Sequence, residues 1–477
     1  MKRKVLFTIL LAVTLTISSV SIAAAQNRTR KYIVISQNDS SFGSSVLGQI
    51  QKSGGRVVRN LSNMGLMVVS SDNPNFASSV SGARAVALDM RIKTPKTLVN
   101  LGPDLVGESR IPGPPNTHDD DRFLDLDWGI TAVDAQNGWQ QGRRGAGALV
   151  AVLDEGVDAT HPDLAPNVRA DLGTSFALDC DGSVEPWQPE AGFYFNHGTH
   201  VAGIIAAADN ATGIIGVAPK AQIMPVDVLS RCLGYGDDSW ILEGIRYAAD
   251  HGADVINMSL GSGPLNIHGG CDEFGDCYTA KDIQNLYLAY SYAALYANRR
   301  GATVIAAAGN DGFDFGANPD YIHLPSDAVG ILSVSATGPI NWGTNPNTNL
   351  DQPASYSNFG RGRIDFSGPG GNDALYNSGD ASVCTVAGLT RPCFVFDWVF
   401  SDIPGGYSWA AGTSMATPHA AGVAAQYIGA AGGRMSPLLV ESTLRALADH
   451  PNGNRGRDAF YGYGRVDATL ADPRSHH

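Results

Sequence analysis

Two hydrophobic patterns divide the chain. Between residues 31 and 90, the short apolar runs Lys31-Tyr-Ile-Val-Ile35, Arg56-Val-Val58, Gly65-Leu-Met-Val-Val69 and Ala85-Val-Ala-Leu88 predict strands. Helical stretches fit over Ser44–Ser53 and Asn75–Ser81. The resulting β-α-β-β-α-β order is a small α+β unit of the split βαβ kind. From about Leu124 the strands become continuous apolar runs: Ala148-Leu-Val-Ala-Val-Leu153, Asp254-Val-Ile-Asn-Met258, Ala302-Thr-Val-Ile-Ala306 and Ile331-Leu-Ser-Val334. Such runs suit parallel strands covered on both faces. Helices are predicted over Thr199–Ala208, Ser239–Asp250, Thr279–Arg300, Ser414–Ala430 and Pro437–Asp449. This second part is therefore a three-layer α/β domain built on a parallel sheet.

The stretch Leu101-Gly-Pro103 to Ile111-Pro-Gly-Pro-Pro115 joins the two as an exposed linker, where proteolytic nicking concentrates. At the start, Lys2, Arg3 and Lys4 precede an apolar run from Val5 to Val20 and an A-x-A site at Ala23-Ala-Ala25 before Gln26. These are the parts of a cleaved secretory signal, which predicts an exported protein with no membrane span after signal removal.

Composition narrows the classes. The chain has 477 residues, 43% hydrophobic and 17% charged, which excludes a disordered chain or a coiled coil. Residues 1–121 carry net charge +6 and residues 122–477 carry −19. An acidic body repels phosphate backbones, so nucleic acid is not an expected partner. A basic front beside an acidic body is compatible with two parts that dock on each other. All six cysteines, Cys180, Cys232, Cys271, Cys277, Cys384 and Cys393, lie in the acidic part. In an exported chain they read as disulfides; short separations favour Cys271–Cys277 and Cys384–Cys393, leaving Cys180–Cys232, with the other connectivities open. Zinc is the competing reading, and no C-x-x-C pair accompanies it.

Three groups sit where loops meet elements. Asp154 ends a strand, His197 precedes a helix in Asn196-His-Gly-Thr-His-Val-Ala-Gly203, and Ser414 opens one in Gly412-Thr-Ser-Met-Ala-Thr-Pro-His419. Taken singly, such residues are ordinary turn and capping positions. Together they supply a nucleophile, a base and a carboxylate to orient the base, the trio acyl transfer needs. Open parallel sheets place ligands at the carboxyl ends of their strands. The chain order Asp-His-Ser excludes the α/β-hydrolase arrangement, whose acid and histidine follow the serine.

The motifs Asp154-Glu-Gly156, His197-Gly-Thr-His-Val-Ala-Gly203, Ala307-Ala-Gly-Asn310 and Gly412-Thr-Ser-Met-Ala-Thr-Pro418 resemble those of subtilisin-like serine proteases, over roughly residues 124–470. Tyr463-Gly-Arg-Val-Asp-Ala468 resembles that family's C-terminal segment, and the 31–90 unit resembles its ferredoxin-like propeptide, an inhibitor and folding chaperone. The resemblance implies a secreted, monomeric serine endopeptidase made as a self-processing zymogen: signal 1–25, propeptide 26–100, linker with the activation cut 101–123, catalytic domain 124–477. It implies Ser414 as nucleophile, His197 as proton shuttle, Asp154 as its orienter and Asn310 as oxyanion donor with the Ser414 backbone N–H. Ser259, Leu260 and Gly261 would pair with extended polypeptide substrate, facing a wall of Ala307, Ala308 and Gly309. Calcium would be held by the Asp163 carboxylate, the Asn210 side chain and the carbonyls of Ala208, Thr212 and Ile214, with Asp125 completing the site from the mature N-terminus.

His197 and His200 lie three apart, but no H-E-x-x-H motif supports zinc, so His200 and His419 read as packed structural residues. Glu155 stands where the family usually has Ser or Thr; a salt bridge and contact with a basic substrate residue are both open. Residues 262–300 and 370–410 look longer than in compact subtilisins, so substrate preference does not transfer. A silent calcium-binding or adhesion module on the same fold is the alternative, which intact Asp154, His197, Ser414 and Asn310 argue against. An esterase on this scaffold would use the same residues.

Overall fold

A computed structural model describes residues 29–38, 41–94, 97–104, 121–453 and 456–469. The expected signal segment, residues 105–120 of the expected linker and the C-terminal residues 470–477 lie outside the described residues. The chain divides into two compact units, residues 1–89 and 90–477.

The first unit has strands β1 (Arg30–Ile35), β2 (Gly55–Leu61), β3 (Leu66–Ser71) and β4 (Ala85–Leu88), with helices α1 (Ser44–Lys52) and α2 (Phe76–Ser79). Its antiparallel sheet runs β2-β3-β1-β4, the order of a split βαβ unit. Tyr32, Val34, Ile50, Met67, Val69 and Phe76 form its core.

The second unit begins with β5 (Arg91–Lys93) and β6 (Leu98–Asp104). Its main sheet takes the parallel strands β7 (Leu149–Asp154), β8 (Gln222–Asp227), β10 (Val255–Met258), β11 (Thr303–Ala307), β12 (Ile331–Gly338) and β13 (Phe366–Pro369). A short strand, β9 (Tyr235–Asp237), pairs with β5. Strand order β12-β11-β10-β7-β8 places the first strand, β7, between β8 and β10. That reversal is a topological switch point, and its carboxyl-end crevice is where such sheets bind ligands.

The longer helices are α3 (His197–Ala206), α4 (Asp238–Asp250), α5 (Ala280–Arg300), α6 (Thr413–Ala430) and α7 (Pro437–Leu447). α3 is buried on every side and α6 over Thr413–Ile428, as helices apolar all round must be. They pack on each other, and Gly422 of α6 meets the loop after α3, where an added Cβ would come within 2.6 Å of Val217. α5 opens with a capping box in which Thr279 and Asp282 satisfy each other's backbone N–H. Strands β14 (Val399–Ile403) and β15 (Gly406–Ala411) form a hairpin, and β6 adds to it as a third strand. The hairpin begins within the long 370–410 stretch, and residues 101–104, expected in the linker, instead complete β6. Disulfides join Cys180–Cys232, Cys271–Cys277 and Cys384–Cys393.

Candidate active site

Asp154 is the last residue of β7 and is fully buried. His197 is the first residue of α3, whose N-cap Asn196 accepts the Thr199 N–H at 2.9 Å. The helix starts two residues earlier than predicted, because that cap fixes it. Gly198 lets this turn rest on the loop leaving β7: a Cβ there would lie 2.1 Å from the Gly156 carbonyl. His197 Nδ1 consequently meets both oxygens of Asp154, at 2.8 and 2.9 Å. Burial pulls the imidazole toward its neutral form, and the Asp154 and Glu155 carboxylates outweigh it, leaving the group above its usual range.

Ser414, the second residue of α6, donates its hydroxyl to the Ser259 carbonyl at 3.1 Å. His197 Nε2 has no hydrogen-bond partner among the described residues. The Asp–His arm is therefore formed and the His–Ser hydrogen bond is not; catalytic hydrogen bonds commonly tighten only with substrate bound. Ser259 Oγ in turn donates to the Ser414 carbonyl at 2.8 Å, locking the loop after β10 to the start of α6.

Asn310 follows β11 and Gly309, whose φ of +97° suits glycine. The Asn310 Oδ1 accepts the backbone N–H of Thr413 at 2.8 Å and its hydroxyl at 2.9 Å. With Oδ1 so engaged, the amide N–H side is turned away from Thr413. Thr413 Oγ1 also accepts the Gly309 N–H at 3.2 Å.

A cavity of about 510 Å³ is lined by Ser414, Thr413, Asn310, Gly309, Ala307, Leu260 and Gly261. Ser259 and Ala308 stand behind this lining; Ala308 is buried and its carbonyl accepts from Asn358 at 2.9 Å. His323, which sequence reasoning missed, packs so tightly here that a Cβ on Gly261 would sit 2.2 Å from its ring. Burial holds His323 down at about 4, so it is a neutral wall. It carried no motif spacing to reveal it. Arg91, Ile92 and Lys93 line the same cavity. His200 and His419 are packed residues, bonded to the carbonyls of Ser408 at 3.0 Å and Met415 at 2.8 Å.

The expected calcium residues gather beyond α3. Asp163 is buried, with Oδ2 accepting the Ile214 N–H at 3.1 Å and the Tyr407 hydroxyl at 3.3 Å, while Oδ1 has no hydrogen-bond partner among the described residues. Asn210 Oδ1 accepts the Thr212 N–H at 3.0 Å. Asp121 also reaches the loop: its Oδ1 accepts the N–H groups of Asn210 and Thr212. Behind Asp163 lie His161 and Asp402, also buried, and both Asp402 oxygens lack hydrogen-bond partners among the described residues. Burial pushes Asp163 up to about 7, and burial with Asp163 raises Asp402 further. An orphaned oxygen amid uncompensated buried acid fits a hard cation.

The sequence pattern of the Subtilase family matches residues 145–464. The chain belongs to the subtilase family. Thermitase of Thermoactinomyces vulgaris is 32% identical over 357 residues, covering 74% of this chain and 99% of thermitase. Subtilisin E of Bacillus subtilis is 31% identical over 345 residues, covering 72% and 70%. Among solved structures, a lanthipeptide protease is 29% identical with TM-score 0.53, covering 72% of this chain and 93% of that one. Fervidolysin from Fervidobacterium pennivorans, at 24% identity and TM-score 0.63 over 93% of this chain and 60% of that one, shares the subtilisin-like α/β fold. This subtilase is accordingly a serine endopeptidase. Among the described residues, no helix is long and apolar enough to cross a membrane.

Proposed function

We propose that this subtilase cleaves extended polypeptides by an Asp154–His197–Ser414 triad through an acyl-enzyme, and that it is secreted as a self-processing zymogen. The observation that carries the reading is the His197 imidazole held at 2.8 and 2.9 Å by buried Asp154, on a helix that packs against the one Ser414 opens. Ser414 Oγ leaves the Ser259 carbonyl, gives its proton to His197 Nε2 and attacks the scissile carbonyl carbon. The carbonyl oxygen takes up the negative charge between the Asn310 side-chain N–H and the Ser414 backbone N–H. His197 then protonates the departing amine, and water deacylates the serine by the same route. Leu260, Gly261 and Gly309 line the trough in which substrate would lie.

The zymogen reading is supported by Arg91–Lys93, which pair antiparallel with β9 and line the cavity with Ser414. β6 pairs with β15, the strand leading into Gly412. Strands on both sides of the site favour an activation cut between β5 and β6, upstream of the 101–123 linker expected from sequence. The residues before it would act as inhibitory propeptide. Asp163, Asn210 and the carbonyls of Ala208, Thr212 and Ile214 would hold calcium, which ties the loop after α3 to the 161–163 turn.

A serine-directed organophosphonate tests the triad. Labelling mapped to Ser414 and abolished by His197→Ala is expected; a folded protein that labels nowhere would leave only the fold.

A further inference from the structure

A second carboxylate directly follows the triad aspartate. Glu155 is 8% exposed and does not line the substrate cavity. Its Oε1 accepts the backbone N–H of His197 at 2.6 Å and the Asn196 side-chain N–H at 3.2 Å. Its own backbone N–H donates to Asp154 Oδ1 at 2.9 Å. Its carbonyl accepts from the Arg231 guanidinium. One residue thus ties the end of β7, which carries Asp154, to the first turn of α3, which carries His197. A carboxylate at that turn also faces the positive end of the helix and its unpaired N–H groups.

We infer that Glu155 is a positioning residue for proteolysis: it fixes the first turn of α3, and its charge favours the imidazolium that His197 becomes on taking the Ser414 proton. The inference rests on His197 being the base. The alternative left open by the sequence, contact with a basic substrate residue, is disfavoured because Oε1 is turned inward onto two N–H donors.

The groups that face this pair are few. Asp154 lies on β7, His200 on α3, Tyr194 on the approach to α3, and Asp227 and Arg231 at and beyond the end of β8. Burial and Asp154 push Glu155 up to about 7, with His197 and Arg231 pulling it back. Glu155 and His197 therefore bias each other's protonation, each negative charge beside the imidazole favouring its charged form. His197 must be neutral to accept a proton, so activity falls as pH drops through its pKa. Removing a neighbouring negative charge lowers that pKa and moves the acid limb to lower pH.

Glu155→Gln keeps the size and an oxygen acceptor but removes the charge; Glu155→Asp keeps the charge on a shorter arm. The measurement is kcat and KM against pH on a peptide substrate, normalised to phosphonate-titrated sites, with Tm measured in parallel. For Gln, the acid limb of kcat/KM should move down by about 0.5–1 pH unit and kcat should fall about 3- to 10-fold with KM steady. For Asp, kcat should fall while the limb stays at the wild-type pH. An unchanged limb and kcat in the Gln variant would show a purely structural side chain and overturn the inference. A loss confined to KM for substrates with a basic residue before the cut would overturn it in favour of substrate recognition. Wild-type protein without Ser414-dependent turnover would overturn both this inference and the triad reading.

Discussion

Thr413 offers a test of how Asn310, the proposed oxyanion donor, is oriented. It is fully buried, and its hydroxyl donates to Asn310 Oδ1 at 2.9 Å while accepting the Gly309 N–H at 3.2 Å. Thr413→Val keeps the shape and deletes both contacts. The backbone N–H of Thr413 still holds Asn310 Oδ1 at 2.8 Å, so the amide keeps one of its two donors. At about 1 kcal/mol per net hydrogen bond, the fold should lose roughly 1–2 kcal/mol. Catalysis depends on aim rather than on the count of contacts. Losing an oxyanion donor outright costs about 10²–10³ in kcat, so a loosened one should cost about tenfold, near 1.4 kcal/mol. Steady-state kinetics on a peptide substrate should show kcat down about tenfold with KM within about twofold, because the interaction strengthens only as charge develops. The cycle with Asn310→Ala isolates the route: once the amide is gone, Thr413→Val should cost little more. Full additivity of the two losses, or a lowered Tm with unchanged kcat, would refute the reasoning.

The other predictions concern the frame around the site. Replacing Cys180 and Cys232 together by serine removes a cross-link across 52 residues, and chain entropy sets the loss at about 4 kcal/mol, read as a lower urea midpoint. Chelation should lower Tm and added calcium restore it, by an amount equivalent to about 2.7 kcal/mol at a hundredfold excess over Kd; in Asp163→Asn the restoring effect should be lost. N-terminal sequencing of the mature enzyme should find a start between Thr94 and Leu98, and Ser414→Ala protein should remain uncut; a start beyond 101 would return the cut to the linker.

The proposed catalytic residues were legible because each stands at a junction that the chain order and flanking motifs mark: Asp154 at a strand end, His197 and Ser414 at helix starts. The parallel strands were legible because burial on both faces makes them continuous apolar runs. Other parts carried no such signal. The β14–β15 hairpin lies in a stretch where Ser401, Asp402 and Ser408 are buried and break any alternation. Asp402 reaches the His161–Asp163 turn only through tertiary packing, and that sequence separation resembles no ligand motif. Thr413 was visible within its motif, yet its service to Asn310 depends on the loop after β11 meeting α6. Glu155 departs from the family pattern in the sequence itself, and only the hydrogen bonds to Asn196 and His197 separate anchoring from substrate contact.

Proteolysis through Ser414 is tested most directly by mapping, with mass spectrometry, the new termini that the mature enzyme creates in a denatured protein mixture. Ser414→Ala protein, refolded with its propeptide supplied in trans, serves as control. New internal termini that accumulate with wild type and are absent with Ser414→Ala are predicted. Equal termini in both samples, or none from folded, calcium-loaded wild type, would contradict it.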